Sequence, residues 1–293
     1  PTHRFRVNYD DLRLQLFGPG WKFNYADEKV MKHEADKQAV AAFVLGNSVI
    51  VDNTNLTPRA RNHWRELGKR EGAEVVEEEI DTSIVECVRR DRLREGKARV
   101  GQAVINRMAL FTGWVDWDDY PGKLVLVDMD GTLSNCEHRL YHVRPTIPSC
   151  TQAGFVSHQF MNGHVCNGCG FQRSRKNWPA FFESCDQDPP IQPILNLVKL
   201  LEPHHHIVVV SGRPIDYCGI KTEDWLLKHG LDPLFMFLRD SNDKRQDVLA
   251  KQEILDMIPL SKIAYVLDDR EAVCNSVWRK AGLTCLKVAE GKY

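Results

Sequence analysis

An excess of either charge is missing from this chain: 39 Lys and Arg stand against 40 Asp and Glu, a net charge of −1 over 293 residues. That excludes a global attraction to polyanions or anionic membranes, so any such site must be a local patch. Long apolar runs are missing too. No stretch approaches the roughly 18 apolar residues of a membrane-spanning helix, and no secretory leader is visible. An even cysteine count is also absent: nine are scattered through the sequence, which fits reduced thiols in a cytoplasm better than a disulfide framework. There is no internal repeat and no initial methionine. The chain opens at Pro1 and runs at once into a short strand, Arg4 to Asn8, which reads like the interior of a domain, so upstream sequence is expected to be missing.

What is present is ordinary for a globular protein, with 43% hydrophobic and 27% charged residues and enough length for two domains. Residues 1–111 alternate short β runs (43–45, 48–51 and 74–76) with amphipathic helices near 26–42, 58–71, 83–92 and 101–111. Such alternation predicts parallel strands joined by crossovers. Residues 112–122 are rich in Gly, Pro and Asp and read as a linker. From 123 to 293 a second alternation begins, with buried strands predicted at 124–128, 206–210, 234–238 and 263–267. Helices are expected near 191–202, 221–229, 244–257 and 271–281. The expected fold class is therefore α/β, two parallel-sheet domains, with ligands at the carboxyl ends of the strands.

The chemistry-bearing residues fall at those ends. Asp128-Met129-Asp130-Gly131-Thr132-Leu133 follows the first strand of the second half. Two carboxylates so spaced can bind a hard cation and a phosphate together, and with the charge cancelled a carboxylate can attack phosphorus. The second carboxylate can protonate the leaving oxygen. Ser211-Gly212-Arg213 ends the next strand and offers a hydroxyl, an amide and a guanidinium to phosphate oxygens. Lys251 can neutralise charge on nucleophile and phosphate, and Asp268-Asp269 can complete the oxygen shell of the cation.

In the first half, Val7 to Arg13 places Asp10, Asp11 and Arg13 at a strand end, where a carboxylate could deprotonate a hydroxyl and an Arg could bind phosphate. Asp52-Asn53-Thr54-Asn55 ends another strand before a Pro-initiated helix. A basic run from Arg89 to Arg99 reads either as a solvated helix face or as a lid over a nucleotide phosphate.

The set Asp-x-Asp-Gly-Thr-Leu, Ser-Gly-Arg, Lys, Asp-Asp resembles the haloacid dehalogenase phosphatase superfamily. The resemblance implies Asp128 as nucleophile and Asp130 as general acid/base, with Ser211 and Lys251 on the phosphate and Asp268 or Asp269 on Mg²⁺. Arg213 joins them, and Asp128 and Asp130 are expected to share the metal. Taken whole, the chain resembles the phage-type polynucleotide kinase/phosphatase: a P-loop 5′-hydroxyl kinase followed by a 3′-phosphatase. By matching motifs, Asp10 would be the kinase base and Arg13 a substrate-phosphate ligand. Asn53, Thr54 and Asn55 would line the acceptor pocket, Arg90 and Arg94 a lid over the donor ATP, and Arg239 and Arg270 would belong to the phosphatase site. The family's Gly-x-x-x-x-Gly-Lys-Ser/Thr loop does not occur here, so the chain as it stands is not expected to be a competent kinase.

A second departure is an insertion at about 145–176 holding Cys150, His158, His164, Cys166 and Cys169. Cys166 and Cys169 are spaced to chelate one Zn²⁺; Cys150 and one histidine, His158 rather than His164, would complete a structural site. The implied function is Mg²⁺-dependent 3′-phosphatase in nucleic-acid end repair, in a bacterial or phage-infected cytoplasm. Its partners would be DNA or RNA ends and at most further copies of itself, with no membrane. A nucleotidase or small-molecule phosphatase with an unrelated first half is the alternative, and a third is a first half that only docks nucleic acid.

Overall fold

The computed structural model describes residues 3–143 and 176–291. They divide into two compact units, ending at Asp81 and beginning at Thr82.

The first unit contains β1 (Arg4–Val7), α1 (Tyr9–Phe17), α2 (Tyr25–Val44), β2 (Ser48–Val51) and α3 (Pro58–Arg70). β1 and β2 pair in parallel, Arg4 with Ser48 through Val7 with Val51. Asn8 follows β1 and caps α1, its side-chain oxygen accepting from the amides of Asp10 and Asp11. Met31, Ala35 and Ala39 recur every four residues on α2, and this small stripe packs with Val7, Leu12 and Leu67. The β run expected at 43–45 is instead the end of α2, and the one at 74–76 forms no strand. Both are short apolar runs, which alone do not separate strand from helix end or loop.

The second unit contains α4 (Ile84–Asp91), α5 (Gln102–Phe111), β3 (Leu124–Val127), α6 (Trp178–Glu183), α7 (Gln192–Leu201), β4 (His206–Pro214) and α8 (Ile215–Lys228). β5 (Phe235–Arg239), α9 (Asp247–Leu255), β6 (Ile263–Asp268), α10 (Glu271–Val273) and β7 (Cys285–Lys287) complete it, and a π-helical turn over Cys274–Arg279 continues α10. The strands form one parallel sheet in the order β5-β4-β3-β6-β7. β3 is buried on both faces: Leu124 and Leu126 enter one apolar core, Val125 and Val127 the other. That alternation is the period-2 geometry of a central strand under helices on both sides.

The units do not divide at the expected linker. α4 and α5 fall in the second unit: Ile84, Ala109 and Leu110 join one of its cores and Ala103 the other. The Asn106 side-chain oxygen on α5 accepts from the Met236 amide of edge strand β5 at 2.8 Å, so the helix covers that edge. Arg92 and Arg99 donate to the buried carboxylate of Glu223 on α8 at 2.7 and 3.1 Å. Among the described residues no helix is long and apolar enough to cross a membrane.

Candidate active site

Three parallel strands of the second unit end together. Asp128 follows β3, Ser211 lies near the end of β4, and Asp268 ends β6 with Asp269 behind it. Gly131, at φ +88, turns the chain after Asp130 so that Leu133 and Ser134 can both donate to the Met129 carbonyl. One carboxylate oxygen from each of Asp128, Asp268 and Asp269 lies within 4.8 Å of the others, and all three residues are buried.

Lys251, 1% exposed, rises into this cluster from α9. Its ammonium donates to Asp128 Oδ1 and Asp268 Oδ2, both at 2.8 Å, and stands 3.7 Å from Asp247. Burial pushes Lys251 toward the neutral form, but Asp128, Asp268 and Asp247 reverse this and raise its pKa well above the ordinary value. Asp268 is held further by the indole N–H of Trp278 at 3.0 Å and the backbone amide of Arg270 at 2.9 Å. Asp269 is less well served. One of its oxygens is buried without a hydrogen-bond partner, and burial together with Asp268 raises its pKa to about 7. Burial also raises that of Asp128; Lys251 opposes the shift and the neighbouring aspartates add to it.

Three buried carboxylates around one ammonium, with an orphaned oxygen among them, suit a divalent cation: hard oxygen donors, converging, with too little positive charge between them. Asp128, Asp268 and Asp269 are the residues that would hold it.

The side chain of Asp130, also expected to share the metal, lies outside that cluster of carboxylates. Its Oδ1 accepts from Arg139 Nη2 at 2.5 Å and from Arg213 at 2.6 and 3.1 Å. Burial would raise its pKa, but the two guanidiniums overcome this and hold it down at about 2. Arg213 is likewise not placed to grip phosphate. It is fully buried, bonded to Asp130, Asp188, Ser134 and Thr222, because a buried guanidinium must satisfy its donors on local acceptors.

Asp188, fully buried, closes the clamp from behind. It accepts from Arg139 at 2.7 and 2.6 Å, from Arg213 at 2.8 Å and from His138 at 2.8 Å. Asp247 plays a similar part on the other flank, bonded to Arg239 at 2.8 Å and Arg270 at 2.9 Å. The bulged ladder of β4 brings Gly212 against it: a Cβ there would lie 2.3 Å from Asp247 Oδ1.

Residues 171–293 match the family model described as the phosphatase domain of polynucleotide kinase PNKP. Residues 171–293 are thus similar to that family. Residues 1–111 match a model described as an AAA domain; that match runs past the break in packing at Asp81 and ends where the linker was expected. Two solved chains from Pnkp1/Rnl/Hen1 complexes, one described as an RNA repair complex, are 21% identical to this chain. Each is covered over 89% of its length and covers 100% of this one, with a TM-score of 0.41.

In the second unit, then, the structure brings Asp128, Lys251, Asp268 and Asp269 together and sets Arg239 and Arg270 on a shared counter-ion. Ser211 is buried beside the clamp, its Oγ accepting from the Arg213 amide. Sequence reasoning missed Arg139, Asp188 and Asp247. Asp247 had a signal, sitting one helical turn before Lys251 on α9. Arg139 and Asp188 had none, since a non-periodic turn and a loop carry them.

In the first unit, Asp10 and Arg13 meet at 2.6 Å, and Glu28 of α2 fixes Arg13 from the other side at 2.6 Å. The Asn53 side-chain oxygen accepts from the Tyr9 amide at 2.8 Å, which ties the ends of β2 and β1, while its amide nitrogen is buried without a partner. Thr54 follows it, and Asn55 adopts φ +43. Arg90 and Arg94 belong to the second unit, where they pair with Glu86 and Asp91. Cys150, His158, His164, Cys166 and Cys169 lie outside the described residues.

Proposed function

We propose that the chain removes 3′-phosphates from nucleic-acid ends, with Asp128 as nucleophile. The cluster of Asp128, Lys251, Asp268 and Asp269 carries this reading. An oxygen of Asp128 forms a bond to phosphorus as the bond to the 3′-oxygen breaks, giving an aspartyl-phosphate and a 3′-oxygen that takes a proton from water to become the 3′-hydroxyl. Lys251 neutralises Asp128 and the incoming phosphate. Mg²⁺, held by Asp128, Asp268 and Asp269, would offset the remaining anion repulsion. Asp130, kept ionised by its clamp, suits the base that takes a proton from the water hydrolysing the aspartyl-phosphate; acid work at the leaving oxygen needs the clamp to loosen. Ser211, Arg239 and Arg270 are the remaining candidates for phosphate contacts.

For the first unit we infer a 5′-hydroxyl kinase role within the full protein, with ATP as donor. Asp10 would be the base, Arg13 a phosphate ligand, and Asn53, Thr54 and Asn55 the acceptor wall.

Phosphate release from a 3′-phosphorylated oligonucleotide, compared with a free nucleotide, tests the leading reading. Preference for the oligonucleotide, lost on chelation and restored by Mg²⁺, is expected. Equal or better turnover of the free nucleotide would replace this reading with a nucleotidase.

A further inference from the structure

Between α1 and α2 of the first unit the chain lays out a row of rings that no catalytic role has used. Phe17 stacks on Trp21 at 5.9 Å, Trp21 meets the edge of Phe23 at 6.3 Å, and Phe23 that of Tyr25 at 5.2 Å. The row starts half-buried and ends in water, Phe23 being 62% and Tyr25 80% exposed. It is braced at its base. The Trp21 indole donates to Asp27 at 2.8 Å, Asn24 caps α2, and the guanidinium of Arg13 lies 5.7 Å from the Trp21 ring.

The charges around the row are sorted by sign. The two carboxylates of this stretch turn inward, Asp27 to Trp21 and Asn24, and Glu28 to Arg13. Lys22, Lys29 and Lys32 are exposed, and among the described residues they make no ion pair. Tyr25, Lys29 and Lys32 stand at i, i+4 and i+7 on α2, so they form one ridge. At 1.5 Å rise per residue that ridge steps by about 4–6 Å. It thus continues the ring row as a line of cations.

We propose that Phe23 and Tyr25, with Lys22, Lys29 and Lys32, form a binding surface for single-stranded nucleic acid. The rings stack on bases and the ammoniums follow the phosphates. Exposed rings beside unpaired cations suit a flexible strand, whose bases are free to stack, better than a duplex, whose base faces are hidden. A protein partner would be served by the rings but gives no reason for three uncompensated lysines. The proposal deepens the reading of the chain as a nucleic-acid end enzyme and rests on it for the ligand class.

The test is fluorescence anisotropy on the full chain with a labelled single-stranded dodecamer, in chelator so that no turnover occurs, at low and moderate salt. Phe23→Ala/Tyr25→Ala should weaken binding about tenfold or more. Lys29→Ala/Lys32→Ala should reduce the slope of log affinity against log salt by about 1.4, two single-strand phosphate contacts. Tyr25→Leu alone changes a side chain mostly in water and guards against a folding artefact; it should weaken binding in the same direction with an unchanged melting midpoint. Ring variants that bind like wild type would overturn the proposal. So would a duplex bound as tightly as the single strand, or rings found by sedimentation to drive self-association instead. Phosphate release from the 3′-phosphorylated oligonucleotide is scored separately: ring-dependent binding without release removes the phosphatase reading and leaves the surface, and the converse removes the surface alone.

Discussion

Arg213 Nη2 lies 2.6 Å from Asp130 Oδ1, with both groups buried. Removing the negative partner leaves two guanidiniums, Arg139 and Arg213, with only Asp188 between them. Asp130→Asn should therefore lower stability by about 3–5 kcal/mol, the cost of breaking a buried pair, and should impair phosphate release severely. Denaturant unfolding and a release assay check the two effects.

The same contact makes a pH prediction. The folded pKa of Asp130 is held at about 2, below its ordinary 3.8. Above pH 3.8 the ionised carboxylate stabilises the fold in full. As pH falls toward 2 the unfolded chain takes up the proton first, and the stabilisation is lost. It should amount to about 2 kcal/mol. Denaturant unfolding from pH 5 downward should show a decline in wild type that is shallower in Asp130→Asn.

Asp128→Asn should abolish phosphate release, by about a thousandfold or more, because an amide is a poor nucleophile. The secondary structure should survive, and circular dichroism checks that. Activity within tenfold of wild type would remove Asp128 from its role.

Asp269 titrates at about 7 in the metal-free protein because burial and Asp268 disfavour its charge. A cation needs that carboxylate ionised, so binding displaces a proton. Mg²⁺ affinity should rise as pH climbs toward 7 and level off above it. Calorimetric titrations at several pH values should show this, together with proton release near neutrality. A flat profile would exclude Asp269 as a ligand.

The packing of α4 and α5 predicts where the phosphatase half can be cut. A chain beginning at Thr82 should keep the melting transition of the second unit. One beginning at Lys123 loses Ile84, Ala109 and Leu110 from a core and leaves Glu223 buried without Arg92 and Arg99. It should be less stable by roughly 5 kcal/mol or more. Comparing the two melting curves decides it.

Much of this was legible in the sequence, for identifiable reasons. Buried parallel strands are continuous apolar runs, so β3 to β6 and the aspartates at their ends could be read directly. β7 was missed because Cys285–Lys287 is three residues long. The packing of 83–111 was not legible for a different reason: amphipathic periodicity shows that a helix has an apolar face but not which sheet receives it, so these residues pack in the second unit while the family match to the first half still runs to 111. Asp130 and Arg213 were found as residues and misplaced as contacts, because spacing cannot show that their charges meet each other rather than a ligand. Arg139 and Asp188, which complete that meeting, come from 49 residues apart.

Gly212 carries a consequence for how the sequence can vary over time. Any side chain at that position enters the space held by Asp247 Oδ1, the counter-ion of Arg239 and Arg270 and a neighbour of Lys251. A substitution at 212 is thus an alteration of Asp247 by another route, and even alanine is a large change. A change there would need a compensating retreat of the carboxylate on α9.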